Sequence, residues 1–245
     1  MKQSMFMILE NEELAPDVHQ LILQGDTSAI KCAGQFVDLK LDGHFLRRPF
    51  SICDWTDTTL TVVYRTVGKG TAELAGYEPG KMIELLTGLG NGFDTTVSGD
   101  KPLLVAGGSG VPMMYALAKE LVAQGKEVTA VLGYRTASDV FLARSIEMLG
   151  VKVIITTEDG SVGVKGFVTD AMKDMNYSYF YTCGPEPMLK AIWKTSVTSG
   201  QFSFEERMGC GFGACMGCSC KTLTGNKRIC KDGPVLRKEE ILWEN

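Results

Sequence analysis

The sequence predicts an α+β/α/β multidomain protein: an antiparallel β-barrel, then a parallel sheet flanked by helices, then a small metal-binding tail. Three observations predict it. Short β-branched or alternating segments separated by Gly, Asp and Pro fill the first hundred residues. From Pro102 onward, apolar runs alternate regularly with helix-periodic segments. After Gln201 periodicity fades, and five of the eight cysteines crowd together with glycines.

In chain order, strands are expected at 18–23, 35–41, 50–53, 60–65 and 81–86, with one helix at 70–77. A glycine-bounded apolar run at 102–106 reads as a buried parallel strand. Helix 111–124, strand 128–132, helix 141–149, strand 151–156, helix 168–175, strand 179–182 and helix 186–198 follow, a succession of βαβ units. The expected division is therefore 1–99, 100–200 and 201–245.

The bulk numbers exclude several function classes. The 245 residues are 44% hydrophobic and 22% charged, ordinary for a globular chain. A net charge of −4 offers no basic field for nucleic acid or an anionic membrane surface. No segment approaches the roughly 18–20 apolar residues that span a bilayer, and the N-terminus lacks the charged and apolar blocks of a signal peptide. A cytoplasmic protein is expected, and dense cysteines in that compartment point to metal rather than disulfides. With only His19 and His44 available, a histidine metal site or hydrolytic triad has little material.

Cys210, Cys215 and Cys218 form C-x4-C-x2-C, and Cys230 follows after eleven residues. This is the plant-ferredoxin spacing for a [2Fe–2S] cluster, with a shortened last gap. Gly209, Gly211, Gly213 and Gly217 let the backbone wind tightly and aim N–H groups at sulfur. Structural zinc more often takes paired C-x2-C knuckles, so it fits this order poorly. Cys220 reads as a non-ligand. Cys32, Cys53 and Cys183 read as small buried hydrophobes.

Gly107, Gly108, Ser109, Gly110, Val111 and Pro112 link a parallel strand to a helix, a turn that brings a pyrophosphate to the helix N-terminus. Cys183, Gly184 and Pro185 make a second turn at the same carboxyl edge of the sheet. In the first domain, Arg48, Pro49, Phe50 and Ser51 combine a guanidinium for a diphosphate, an aromatic ring to flank a flavin and a hydroxyl for a flavin nitrogen. Gly70 and Thr71 open the short helix, giving N–H donors for phosphate.

These motifs together resemble the ferredoxin-reductase superfamily. Within it the chain is similar along its whole length to the electron-transfer subunits of type B dihydroorotate dehydrogenases. LRRPFSI at 46–52, VYR at 63–65, GKGT at 68–71, GGSGVP at 107–112, TEDGSVGVKGFVTD at 157–170, YTCGPEPML at 181–189 and CKDGP at 230–234 carry the resemblance. The cysteine tail and TEDGS-x-G-x-KG are its specific parts. Phe50 stands where the superfamily usually has tyrosine, and Met113 where a second proline is common.

The resemblance implies that Arg48, Pro49, Phe50, Ser51, Val63, Tyr64, Arg65, Gly70 and Thr71 hold FAD. It implies that Gly107, Gly108, Ser109, Gly110, Pro112, Cys183, Gly184 and Pro185 line an NAD site, and that Cys210, Cys215, Cys218 and Cys230 ligate the cluster. Arg135, just past the second parallel strand, is placed to meet a 2′-phosphate, whereas the family expectation is NAD. The implied partner is an FMN-containing catalytic subunit that oxidises dihydroorotate in pyrimidine biosynthesis, in a heterotetramer of two of each chain. Electrons pass from that FMN through [2Fe–2S] and FAD to NAD⁺. No residue here is a candidate base for dihydroorotate, which agrees with that chemistry lying on the partner. Sister subunits of hydrogenases, sulfide dehydrogenases and electron-bifurcating transhydrogenases share this domain order. A zinc-binding interaction module without redox activity is the reading of another class.

Overall fold

The computed structural model describes residues 1–243; the last two residues of the expected tail, 244 and 245, lie outside the described residues. The first unit contains β1 (Lys2–Ala15), β2 (Val18–Gln24), β3 (Phe36–Lys40), β4 (Arg48–Trp55), β5 (Thr59–Arg65), α1 (Lys69–Ala75) and β6 (Met82–Leu89). The six strands close into an antiparallel barrel in the order β1-β2-β5-β4-β3-β6, and closure leaves no unpaired edge. Phe6, Ile8, Leu21, Leu23, Leu39, Ile52 and Leu60 are fully buried inside it. The 14-residue β1 has no counterpart among the expected strands. Its run Glu10–Glu13 lacks an apolar alternation. The strand forms because Lys2–Met7 pair with β6 and Met7–Ala15 with β2.

The second unit contains β7 (Pro102–Gly107), α2 (Val111–Ala123), β8 (Thr129–Tyr134), α3 (Ala143–Met148), β9 (Lys152–Thr157), β10 (Val164–Lys165), α4 (Val168–Met172), β11 (Tyr179–Cys183), α5 (Glu186–Thr195) and β12 (Gly200–Ser203). Every residue of β7 is buried, which is why it reads as an unbroken apolar run. α3 begins two residues later than the periodicity predicts, because Leu142 takes a left-handed conformation with φ 59° at its start. The sheet order is β10-β9-β8-β7-β11-β12, and one strand of the tail extends it beyond β12. The chain moves outward from β7 to β10, then returns to place β11 on the other side of β7. That reversal creates a crevice at the carboxyl ends of β7 and β11, the usual ligand position in open α/β sheets.

The tail is more ordered than its composition predicts. Fully buried β12 spans the 200/201 junction and pairs in parallel with β11. The chain then forms the hairpin β13 (Ser219–Thr222) and β14 (Gly225–Arg228), and β15 (Val235–Arg237) returns antiparallel to β12. The cysteine segment is thus an excursion anchored to the sheet at both ends. Asn91, in the connection after β6, fastens its return: Asn91 Nδ2 donates to Val235 O at 2.7 Å, and Val235 N donates to Asn91 Oδ1 at 3.1 Å.

Barrel and sheet share one apolar seam. Val111, Met113, Met114 and Leu117 of α2 pack with Val18, Ala33, Cys53 and Val63 of the barrel unit. At its rim Ala33 N donates to Glu120 Oε1 at 2.8 Å, and burial pushes the Glu120 carboxyl above its ordinary value against that bond.

Candidate functional site

A cleft of about 960 Å³ lies between the barrel, the carboxyl edge of the sheet and the start of the tail. Its barrel wall carries Pro49, Phe50, Ser51, Val63, Tyr64 and Arg65, six of the nine residues expected there. Tyr64 is held from three sides. Its ring stacks on His19 at 5.4 Å and meets Phe50 at 5.5 Å, and its hydroxyl donates to Asn11 Oδ1 at 2.9 Å. Burial pushes its phenol up to about 12. Asn11 also donates to Leu74 O at 2.8 Å and Tyr77 O at 3.0 Å. One side chain of β1 therefore ties down two carbonyls at and beyond the end of α1, Leu74 O also accepting from Tyr77 N at 3.0 Å, and fixes the ring of β5.

Arg48, Gly70 and Thr71 lie beside that wall rather than in the cleft lining. Arg48 Nη1 donates to Leu46 O at 2.6 Å, and Nη2 lies 3.1 Å from His44 Nδ1. A Cβ on Gly70 would come within 3.0 Å of Arg48 Nε, so glycine lets the guanidinium rest on the start of α1. The Thr71 hydroxyl accepts from Val67 N and Gly68 N and donates to Gly68 O, folding the α1 entry back on itself.

On the sheet wall, Gly107, Gly108, Ser109 and Pro185 line the cleft. Gly110, Pro112, Cys183 and Gly184 stand behind them. A Cβ on Gly110 would sit 2.2 Å from Cys183 O, so this glycine permits the close approach of α2 to β11. Gly108 differs: its φ is +51° and a Cβ there would meet nothing within 4 Å. It turns the backbone toward open space, as a phosphate-cradling turn requires. The Cys183 thiol is wholly buried, and burial drives its pKa well above the ordinary value.

Several cleft residues carried no sequence signal. Glu205 follows β12 and accepts from Ser109 Oγ at 3.3 Å. Its carboxylate meets solvent yet is ringed by protein, and that surrounding raises its pKa. Ser203 and Thr156 contribute fully buried hydroxyls with no hydrogen-bond partner among the described residues. Arg135 does reach the cleft, but its guanidinium lies 3.6 Å from Asp139, which accepts in turn from Thr136 N and Oγ1. Glu158 lines the same end.

The cysteine loop is wound by Gly211, Gly213 and Met216, with φ of 77°, 91° and 63°. Backbone N–H groups thereby point at sulfur: Ala214 N and Cys215 N donate to Cys210 Sγ, Gly217 N to Cys215 Sγ, and Cys230 N to Cys218 Sγ. Arg228 staples the loop, donating to Gly213 O at 3.0 Å and forking onto Asp232. Burial opposes ionisation of Cys210, but N–H groups of Cys215, Phe212 and Ala214 bring its thiol down to about 6. Burial beside Cys218 pushes Cys230 up to about 12. Cys210 neighbours Cys215, and Cys218 neighbours Cys230. Among the described residues no three metal-ligating side chains close around one point. Cys220 sits on β13 opposite Lys227, outside these pairs.

Residues 205–242 match the family described as the iron–sulfur cluster binding domain of dihydroorotate dehydrogenase B, and residues 104–194 match the oxidoreductase NAD-binding domain. A relative from a Geobacillus species, named dihydroorotate dehydrogenase B (NAD(+)), electron transfer subunit, is 41% identical over 99% of this chain and 99% of its own. A protein of the same name from Listeria monocytogenes is 41% identical over 98% and 99%. Among solved structures, one described as an NADH-dependent reduced ferredoxin-NADP oxidoreductase that performs flavin-based electron bifurcation superposes with a TM-score of 0.88 and 28% identity, over 98% of this chain and 90% of that one. The cytochrome b5 reductase domain of Ulva prolifera nitrate reductase shares the fold at a TM-score of 0.65 and 20% identity, over 77% and 89%.

Proposed function

The chain belongs to the family of dihydroorotate dehydrogenase B electron transfer subunits, and on that premise we propose that it links a catalytic dihydroorotate-oxidising subunit to NAD⁺ through FAD and a [2Fe–2S] cluster. The observation that carries this reading is one cleft joining the barrel motif Pro49–Ser51 to the glycine turn Gly107–Ser109, with the thiol loop beginning at its rim. Bound there, a flavin supplies the junction between two-electron exchange with nicotinamide and one-electron exchange with a cluster.

The chain's residues perform the binding and orienting. Phe50, Ser51, Val63, Tyr64 and Arg65 hold the flavin, with Arg48, Gly70 and Thr71 on its diphosphate side. Gly108 and Ser109 take the dinucleotide phosphates, backed by Gly107, Gly110, Pro112 and the Cys183–Pro185 turn. Glu205, tied to Ser109, accepts from donors of a bound nicotinamide. Cys210, Cys215, Cys218 and Cys230 ligate the cluster, and loop N–H groups tune it. This gives residues 1–99, 100–200 and 201–245 flavin, nicotinamide and cluster roles, with β12 and β15 tying the third to the second. Asp139 supports NAD over NADP, because it already engages Arg135 and adds a negative charge where a 2′-phosphate is to be refused.

The partner is an FMN-containing catalytic subunit, in an assembly of two of each chain. No helix among the described residues is long and apolar enough to cross a membrane, and thiolate ligation favours a reducing, cytoplasmic setting. The test is gentle anaerobic purification of the native complex, followed by NADH oxidation with and without orotate. Orotate-dependent NADH consumption yielding dihydroorotate is expected. NADH oxidation by an artificial acceptor, indifferent to orotate, would assign the chain to a sister reductase. A colourless protein holding zinc would remove redox function altogether.

A further inference from the structure

The barrel and the cysteine loop meet at Asp38 of β3, a carboxylate that neither the cleft nor the thiol set accounts for. Its residue is 2% exposed, and Oδ1 has no hydrogen-bond partner among the described residues. Oδ2 lies against Gly211, the residue after Cys210: a Cβ at Gly211 would come within 2.3 Å of it. Gly211 therefore admits the carboxylate to the loop by having no side chain. Arg47, Arg48 and Cys210 are the charged or titratable groups that face it. Neither arginine pairs with it directly. Arg47 is engaged by Glu84, and Arg48 by Leu46 O and His44. Burying a carboxylate oxygen without a partner is costly, so Oδ1 calls for an explanation beyond packing.

We propose that Asp38 is a tuning residue of the cluster: its carboxylate, buried against Gly211, sets a fixed negative charge beside the Cys210 end of the thiol set and holds the cluster's reduction potential down. Reduction adds an electron to the cluster. A nearby negative charge in a poorly screened interior opposes that addition, and net charge and burial are among the terms that set such potentials. This inference rests on the cluster reading above.

The test is an EPR-monitored redox titration of the purified holo complex at pH 8, above the value of about 6 to which burial pushes the Asp38 carboxyl. Asp38→Asn should raise the cluster midpoint by a tenfold change in the reduction equilibrium, about 59 mV for a one-electron couple. Asp42→Asn, an exposed carboxylate two residues past β3, should leave the midpoint unmoved. An Asp38→Asn midpoint equal to wild type, at full iron content, would overturn the proposal. Should that variant fail to hold iron, Asp38→Ser, uncharged and smaller, is read in the same way. Loss of the cluster from both would also overturn the proposal, because the carboxylate would then serve assembly. If the wild-type complex shows neither acid-labile sulfide nor an EPR signal on reduction, the cluster reading itself fails.

Discussion

The barrel and the cysteine tail organise themselves by opposite means. The barrel closes on itself around Phe6, Ile8, Leu21 and Leu60, all fully buried, and its strands satisfy one another's backbone. Its stability comes from apolar burial. The tail contributes a short hairpin pair and packs Ile229, Leu236 and Ile241 into the sheet's apolar cluster, while its thiols are mixed, with Cys215 exposed and Cys210 half-buried. It is held by its two anchors in the sheet and by whatever its thiols bind. The barrel is thus a preformed scaffold, whereas on the proposed reading the cysteine loop is completed by the metal it binds.

Removing a thiol should separate the two regions most sharply. Cys215→Ser should abolish cluster assembly and orotate-linked NADH oxidation while flavin content and NADH turnover with an artificial acceptor persist. Cys220→Ser should keep its iron. Iron analysis beside the two assays distinguishes them, and equal losses from both substitutions would contradict the pairing described above. In the barrel, Phe6→Ala should cost about 3–5 kcal/mol of unfolding free energy, read by urea denaturation, and the cluster's absorbance should survive until the barrel itself unfolds.

A smaller effect is expected from Asn11→Ala, which takes their side-chain partner from Tyr77 O and the Tyr64 hydroxyl and one of two donors from Leu74 O. A loss of about 1–3 kcal/mol should appear as weaker FAD retention, measured by flavin fluorescence on dilution. The sheet edge lies outside both regions. Asp139→Asn frees Arg135, the exposed member of a pair worth up to about 1 kcal/mol, so the NADH-to-NADPH ratio of kcat/KM should fall by up to about fivefold. Smallest is a pH effect at the seam. Burial raises the folded-state pKa of Glu120, so the folded protein binds more protons there than the unfolded chain does. Stability should therefore fall as pH rises from the ordinary glutamate value through the raised one. Glu120→Gln should flatten that slope in urea titrations between these limits.

Much of this was legible in the chain itself. The barrel strands, the βαβ alternation and the family emerge from local patterns, and six of nine expected flavin residues line the cleft. The exceptions share a cause. β1 lacks an internal alternation through Glu10–Glu13, because its order comes from β2 and β6 rather than from its own periodicity. The tail reads as irregular because β12 and β15 are short, and partners brought from elsewhere in the chain define them. Gly110 and Gly184 read as ligand contacts, but the close packing of α2, β7 and β11 requires them too.

Element order, thiol spacing and the glycine turns are written into the chain locally, since each depends on residues within a few positions of one another. That Asn11 fixes Tyr64, that Glu205 meets Ser109 and that Asp38 lies against Gly211 emerges from folding alone. Those contacts join residues 53, 96 and 173 positions apart. No periodicity encodes such a distance, because it is set by how the barrel closes, by the strand order of the sheet and by where the cysteine loop meets the barrel.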